Sequence, residues 1–238
     1  MSDVARVAGV DGTRGGWVMA TTSTIPGSPV EFWLSTSFAE IWARARKRRL
    51  LAVAIDMPIG LPDKVRRRSD REAKDLLGPR RSSLFWTPSL YLLESADHTR
   101  ANKLSKRVTG QGLSIQAFNL LPKVREVRGV LSPADLAPQA QPQAAEVHPE
   151  TSLAVLAGKP MSISKHRRGG IAERFAALEP EFDRLQWELV HKERPCELHD
   201  LIDATAAAWT ARRMAAGTAM ILGHGEIDTT GYPMAIWA

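Results

Sequence analysis

Residues Leu50-Leu51-Ala52-Val53-Ala54-Ile55 form an apolar run without polar alternation, closed by Asp56 and then by Met57-Pro58-Ile59-Gly60-Leu61-Pro62. A strand apolar on both faces belongs at the centre of a sheet covered on both sides. The prolines end it, because a proline nitrogen has no hydrogen to give to a ladder. A second run, Arg6 to Val10, also ends in an aspartate, Asp11. Gly12, Gly15 and Gly16 then permit a tight reversal into a second strand, Trp17 to Thr22. A carboxylate at a strand end with little side chain around it is costly to desolvate unless a cation meets it.

The rest of the pattern is mixed α/β. Val30 to Leu34 reads as a third strand. Ser37 and Glu40 make a capping box for a helix whose apolar face is Phe38, Ile41, Trp42 and Ala45. Its end is rich in Arg and Lys, which suits the negative pole of a helix. Ala144 to His148 predicts a fifth strand stopped by Pro149, and residues 171–178 and 182–190 predict helices. The last helix is expected over about 197–216. Its stripe is Leu198, Leu201, Ile202, Thr205 and Trp209, and its alanines allow a neighbouring backbone to come close.

The expected fold is one domain over 1–238, with a helical basic insertion at about 63–143, after the fourth strand. In that stretch the chain from Lys64 to Arg128 holds fifteen Lys/Arg against six Asp/Glu, whereas the whole chain has a net charge of only +6. Such a surface is either solvated or polyanion-facing. Leu113, Ala117, Leu120, Leu121, Val124 and Val127 make a helical stripe that Pro122 is expected to kink or interrupt, with Gln116, Asn119, Lys123 and Glu126 on the other side. Pro133 to Gln143 reads as a loop. An apolar content of 44% is ordinary for a globular protein. The single cysteine, Cys196, excludes an internal disulfide. With no leader and no run of roughly 20 apolar residues, the expectation is a cytoplasmic protein with no membrane partner.

The acids form an ordered set. If the strands ending in Asp11 and Asp56 are parallel neighbours, their carboxylates meet at one sheet edge, where a divalent cation would relieve their repulsion. Asp200 and Asp203 share a helix face, and Glu146 closes the fifth strand. Oxygen donors without cysteine or histidine suit Mg²⁺ or Mn²⁺. Arg14, Lys123, Arg125 and Lys165 are candidate phosphate contacts. His148 reads as a structural histidine ahead of a proton shuttle. Ser82 to Pro88 mixes hydroxyls with Phe85 and Trp86 and could stack a base, with core packing the commoner use; with only two tyrosines and scattered aromatics, no dedicated single-strand-binding platform is expected.

The order strand-Asp, glycine hairpin, strand, helix, strand-Asp and finally Asp200-Leu201-Ile202-Asp203-Ala204 resembles the ribonuclease H-like superfamily. Closer still, Gly9 to Trp17, Ala54 to Gly60, Gly112 to Gln116 with Leu120 to Val127, and Glu146 to Glu150 resemble the family called domain of unknown function 429, regarded as predicted nucleases. The resemblance implies a mixed five-stranded sheet flanked by helices. It implies a nuclease in which Asp11, Asp56 and Asp203, with Asp200, Glu146 or Glu150 as fourth acid, hold two Mg²⁺ or Mn²⁺ for phosphodiester hydrolysis of RNA or DNA. Asp11, Asp56, Asp203 and Glu146 are the expected catalytic set, Asp11, Asp56, Asp200 and Asp203 the expected metal set. Arg14, Gln116, Lys123, Arg125 and Lys165 are expected at the substrate. Two other readings stand beside it: a phosphotransfer or nucleotide-binding protein of the sugar kinase–actin class, which opens alike but normally needs a longer chain, and a non-catalytic nucleic-acid-binding protein.

Overall fold

The computed structural model describes residues 4–185 and 196–238. Strands β1 (Arg6–Thr13) and β2 (Gly16–Ser23) form the expected hairpin, with Asp11 opposite Val18. Strand β3 (Glu31–Ser35) extends it antiparallel. On the other side of β1, β4 (Ala52–Ile55) and then β5 (Gln143–Glu146) add in parallel, giving the order β3-β2-β1-β4-β5. All four residues of β4 are buried, as a central strand requires. The fold is α/β, a mixed five-stranded sheet flanked by helices and consistent with a ribonuclease H-like arrangement.

Helix α1 (Phe38–Lys47) buries the predicted face on one side of the sheet. Ser37 caps it by accepting from the Ala39 amide, but Glu40 takes the Ser35 hydroxyl instead of closing a capping box. The insertion between β4 and β5 carries α2 (Arg68–Leu77), α3 (His98–Thr109) and α4 (Ile115–Val130). Helix α4 runs through Pro122, which lies on the exposed side, so the interruption does not occur. Ala117, Leu121, Val124 and Val127 are buried as the stripe implies. The polar side of α4 is only partly free surface: Gln116 and Asn119 are exposed, but Glu126 accepts from the Trp17 indole at 2.9 Å and from the Phe38 amide at 2.6 Å. One carboxylate thus ties the insertion to both the hairpin and the start of α1.

Pro149, expected only to stop β5, also opens α5 (Pro149–Ala157), as its fixed φ and missing N–H favour at a first helical position. Helix α6 (Arg168–Leu178) follows. Phe182 to Arg184 form a turn rather than the start of the expected helix, and residues 186–190 of that helix lie outside the described residues. The expected loop at 133–143 holds a short 3₁₀ turn, Pro133–Leu136, that Ser132 and Asp135 cap reciprocally. A short ribbon of β6 (Ile221–Leu222) and β7 (Ile236–Trp237), not anticipated from sequence, ends the chain. Asp228, in the loop between β6 and β7, accepts from the Leu61 amide and from Arg128 of α4, both at 3.0 Å, and so binds the turn after β4 to the insertion. Among the described residues no helix is long and apolar enough to cross a membrane.

Helix α7 (Leu198–Ala215) covers the second face of the sheet and lies against β1, β4 and β2. Its alanines do what their size allows. At Gly9 a Cβ would stand 2.1 Å from both the Ala204 carbonyl oxygen and the Ala208 nitrogen. No side chain separates the two backbones, and neither can retreat without unpacking the sheet. Gly9→Ala is therefore expected to destabilise the protein by at least about 1–3 kcal/mol, the usual cost of overpacking. Urea unfolding measures it, and a loss below about 0.5 kcal/mol, the scale of a neutral surface change, would contradict this packing.

Candidate metal centre and its cleft

Because β1 and β4 are parallel, Asp11 and Asp56 arrive at the same sheet edge, and the Asp56 amide donates to the Val10 carbonyl at 2.8 Å. Asp203 comes from α7, one residue before the Ala204 carbonyl that rests on Gly9. The three carboxylates bring oxygens within 4.8 Å of one another. Asp11 and Asp203 are buried and Asp56 is half-buried. Asp11 Oδ1 accepts from the Gly12 amide at 2.6 Å. Asp203 Oδ2 accepts from the Lys165 ammonium, while Asp203 Oδ1 is buried with no hydrogen-bond partner among the described residues.

Asp11 and Asp56 hold their protons more tightly than ordinary carboxylates. Burial, and then the neighbouring Asp56 and Asp203, push Asp11 well above the ordinary carboxylate range. Burial, and then Asp203, push Asp56 up to about 8. Burial alone would lower the pKa of Lys165, but Asp203 and then Asp56 and Asp11 raise it overall, so it stays charged at neutral pH. The donor chemistry fits a hard divalent cation. All three ligands are carboxylates, and a buried oxygen without a partner is an energetic cost that a cation removes. Asp11, Asp56 and Asp203 are the residues that could hold Mg²⁺ or Mn²⁺.

The other expected acids stand nearby but outside this group. Glu146 is neutralised by an arginine instead. Its oxygens accept from Arg67 Nη1 and Nη2 at 2.8 and 2.6 Å, and Oε2 also accepts from the Ile59 amide. Arg67 also meets Asp70 Oδ1 through Nε and Nη2 and the Gly60 carbonyl through Nη1, so all five guanidinium N–H groups are used in a fully buried network. Glu150 Oε1 accepts from Arg174 Nε at 2.9 Å and Nη2 at 2.5 Å. Asp200 lies one turn before Asp203, 3.2 Å from His199 Nε2, and lines a shallow recess beside Thr13, Arg14 and Cys196.

The expected phosphate contacts divide in the same way. Lys165 is at the carboxylates. Lys123 Nζ donates to the Gly16 carbonyl at 2.5 Å and sits 4.3 Å from the Trp17 ring centroid, with its methylene chain over Gly12. Burial lowers the pKa of Lys123. Arg14 is exposed in the recess with Asp200. Arg125 lies 3.6 Å from Glu94, and Gln116 is exposed; neither lines the cleft above the carboxylates.

That cleft has a volume of about 520 Å³. Its walls come from the carboxylate edge, from the insertion (Ser82 to Pro88, Asn119, Leu120 and Lys123) and from Ser164, Lys165 and His166. His148 also lines it. Burial, and then Lys165, lower its pKa to about 4, and its Nδ1 is unpartnered among the described residues. It is therefore neutral at pH 7 and a weak base. The roles of Arg67 and Arg174 were not legible in the sequence, where each reads as a surface cation. The one signal for them was neighbourhood: Arg67 lies three residues from Asp70, within reach of a helical pair.

No curated protein and no solved structure matches the chain. A family model does, from Gly9, which seats α7 on β1, to Ile227, which precedes Asp228: over residues 9–227 the chain matches the family described as protein of unknown function (DUF429), and it belongs to that family.

Proposed function

We propose that this protein is a metal-dependent phosphodiesterase acting on nucleic acid. The observation that carries the reading is the group Asp11, Asp56 and Asp203, whose oxygens converge within 4.8 Å and leave Asp203 Oδ1 buried and unpaired. These three would hold one Mg²⁺ or Mn²⁺. Asp200 lies beside His199 and Glu146 is paired to Arg67, whereas Glu150, held by Arg174 through Oε1 alone, lines the same cleft with Oε2 buried and without a partner among the described residues, which leaves it as the candidate acid for a second ion. A bound ion supplies Lewis-acid charge to a phosphoryl oxygen and acidifies water beside it.

The chain's own residues supply the rest. The Lys165 ammonium, charged at neutral pH, is a fixed cation beside the carboxylates and attracts the phosphate that like charges would otherwise repel. Lys123 lines the cleft and adds a second positive charge near Asp11. Neutral His148 lines the same side as Lys165 and, with its Nδ1 unpartnered among the described residues, can accept a hydrogen bond there, though its lowered pKa makes it a weak base. The walls of the cleft limit bulk water around these groups.

Purified protein should cleave a labelled oligonucleotide and bis(p-nitrophenyl) phosphate with Mn²⁺ and not with EDTA. Asp203→Asn should lose more than about 100-fold in rate, beyond the 10–100-fold typical of outer-shell changes at metal sites. Metal-independent turnover, or an Asp203→Asn enzyme within tenfold of wild type, would end this reading.

A further inference from the structure

The cleft does not end at its own walls. Trp86, Thr87 and Pro88 line it, and the same three residues line a neighbouring recess of about 390 Å³. Lys64, Arg66 and Arg71 supply the charges of that recess, and no carboxylate lines it among the described residues. None of the three cations has an ion-pair partner among the described residues. Arg68 by contrast pairs with Glu72, and Arg67 is buried in its own network. The Arg66 guanidinium lies 3.7 Å from the centroid of the Trp86 ring, a cation–π contact that holds it at the junction between cleft and recess. Lys74, 4.7 Å from the same ring, donates to the Arg81 and Leu84 carbonyls and so fixes the segment leading to Trp86. Phe85, 42% exposed, offers an open ring on the cleft side.

We propose that the substrate is a single strand of nucleic acid that enters the carboxylate cleft and leaves it across Trp86 along Lys64, Arg66 and Arg71. This rests on the phosphodiesterase reading for what becomes of the strand, but not for how it binds. The cleft volume is that of a pocket enclosing a small molecule, within the range of about 300–1,000 Å³. Its walls admit a flexible chain one nucleotide at a time. A duplex presents its backbone on the outside of a stiff rod and needs an open groove to reach buried carboxylates. Unpaired cations spaced along a groove with an exposed aromatic ring beside them are the elements of sequence-tolerant single-strand binding.

The test is fluorescence anisotropy in EDTA, so that binding is read whether or not cleavage exists. The probes are labelled RNA and DNA strands of about 12 nucleotides and the corresponding duplexes. Single strands should bind at least about tenfold tighter than duplexes, a difference of roughly 1.4 kcal/mol, and any RNA–DNA difference names the source of the strand. Between about 50 and 200 mM salt, the combined Lys64→Ala, Arg66→Ala, Arg71→Ala variant should show a log–log slope shallower by about 0.7 for each phosphate it no longer neutralises. Arg71→Glu, at an exposed position, gives a second reading should the triple variant fold poorly, and it should weaken strand binding. Duplexes bound as tightly as single strands, or an unchanged slope with Arg71→Glu at wild-type affinity, would overturn the proposal. Failure of Mn²⁺-dependent cleavage would overturn the phosphodiesterase reading alone.

Discussion

Arg67→Met is expected to destabilise the protein by about 3–5 kcal/mol, the usual consequence of removing one partner of a buried charge pair. The guanidinium has all five donors engaged and is the cation shared by Glu146 and Asp70, both buried. Without it, two carboxylates face each other in a dry interior, and one Glu146 oxygen keeps only the Ile59 amide. Adding Glu146→Gln and Asp70→Asn to Arg67→Met removes the stranded charges and should recover part of the loss. Urea unfolding of the two variants measures this. A loss below about 1 kcal/mol for the single change, or no recovery in the triple, would show that Arg67 is not the central cation here. The same reasoning removes Arg67 from any surface contact with a polyanion, although it stands between Arg66 and Arg68.

The second large effect concerns the three carboxylates and has a definite pH sign. In the absence of metal, Asp11 and Asp56 have folded pKa values raised above the unfolded value near 3.9. Between the two values the folded state holds more protons than the unfolded one, so stability falls as pH rises. The contribution is fully present below about pH 4 and is lost as pH passes through the folded value of about 8 for Asp56. A divalent cation displaces those protons and stabilises the carboxylates that deprotonation leaves exposed to one another. Mn²⁺ at a hundred times its Kd should add about 2.7 kcal/mol, and the rise in melting temperature should be larger at pH 8 than at pH 6. The Asp11→Asn, Asp56→Asn variant should show no such rise, and without metal should be more stable than wild type at pH 8. Thermal melts with Mn²⁺ and EDTA decide it; an identical Mn²⁺ effect in variant and wild type would remove these residues from metal binding.

Much of the frame was legible because it depends on local pattern. The run before Asp56 was best placed as a covered central strand, and the glycines after Asp11 permitted a tight reversal; both are found. Two parallel strands ending in acids then bring Asp11 and Asp56 to one edge. Helical spacing put Asp200 and Asp203 on one face, and the family resemblance pointed to Asp203. What was not legible depends on partners far along the chain. Arg66, Arg67 and Arg68 are identical in composition, yet one stacks on Trp86, one is buried, and one pairs at the surface with Glu72. Glu146 reads as another strand-end acid until Arg67, 79 residues away, is seen against it. Lys165 was expected near phosphate, but its pairing with Asp203, 38 residues on, depends on where the segment before α6 is held. Arg174 holds that segment by donating to the Ile163 carbonyl at 3.0 Å while it pairs with Glu150.

The contact between Gly9 and Ala204 sets more than the spacing of a helix over a sheet. Asp11 lies two residues beyond Gly9, and Asp203 is the residue before Ala204. The two acids are therefore anchored to a junction of main chain against main chain, which has no rotamers to relax through. Their Cα positions then cannot move apart to suit a larger guest, which leaves only the side-chain torsions to adjust. If the proposed cation binds there, such mounting would favour an ion satisfied by oxygens near 2.0–2.1 Å, such as Mg²⁺, over Ca²⁺, which seeks six to eight ligands at about 2.3–2.6 Å. Ion selectivity would then be a property of the backbone, written into the chain by one glycine and a row of alanines.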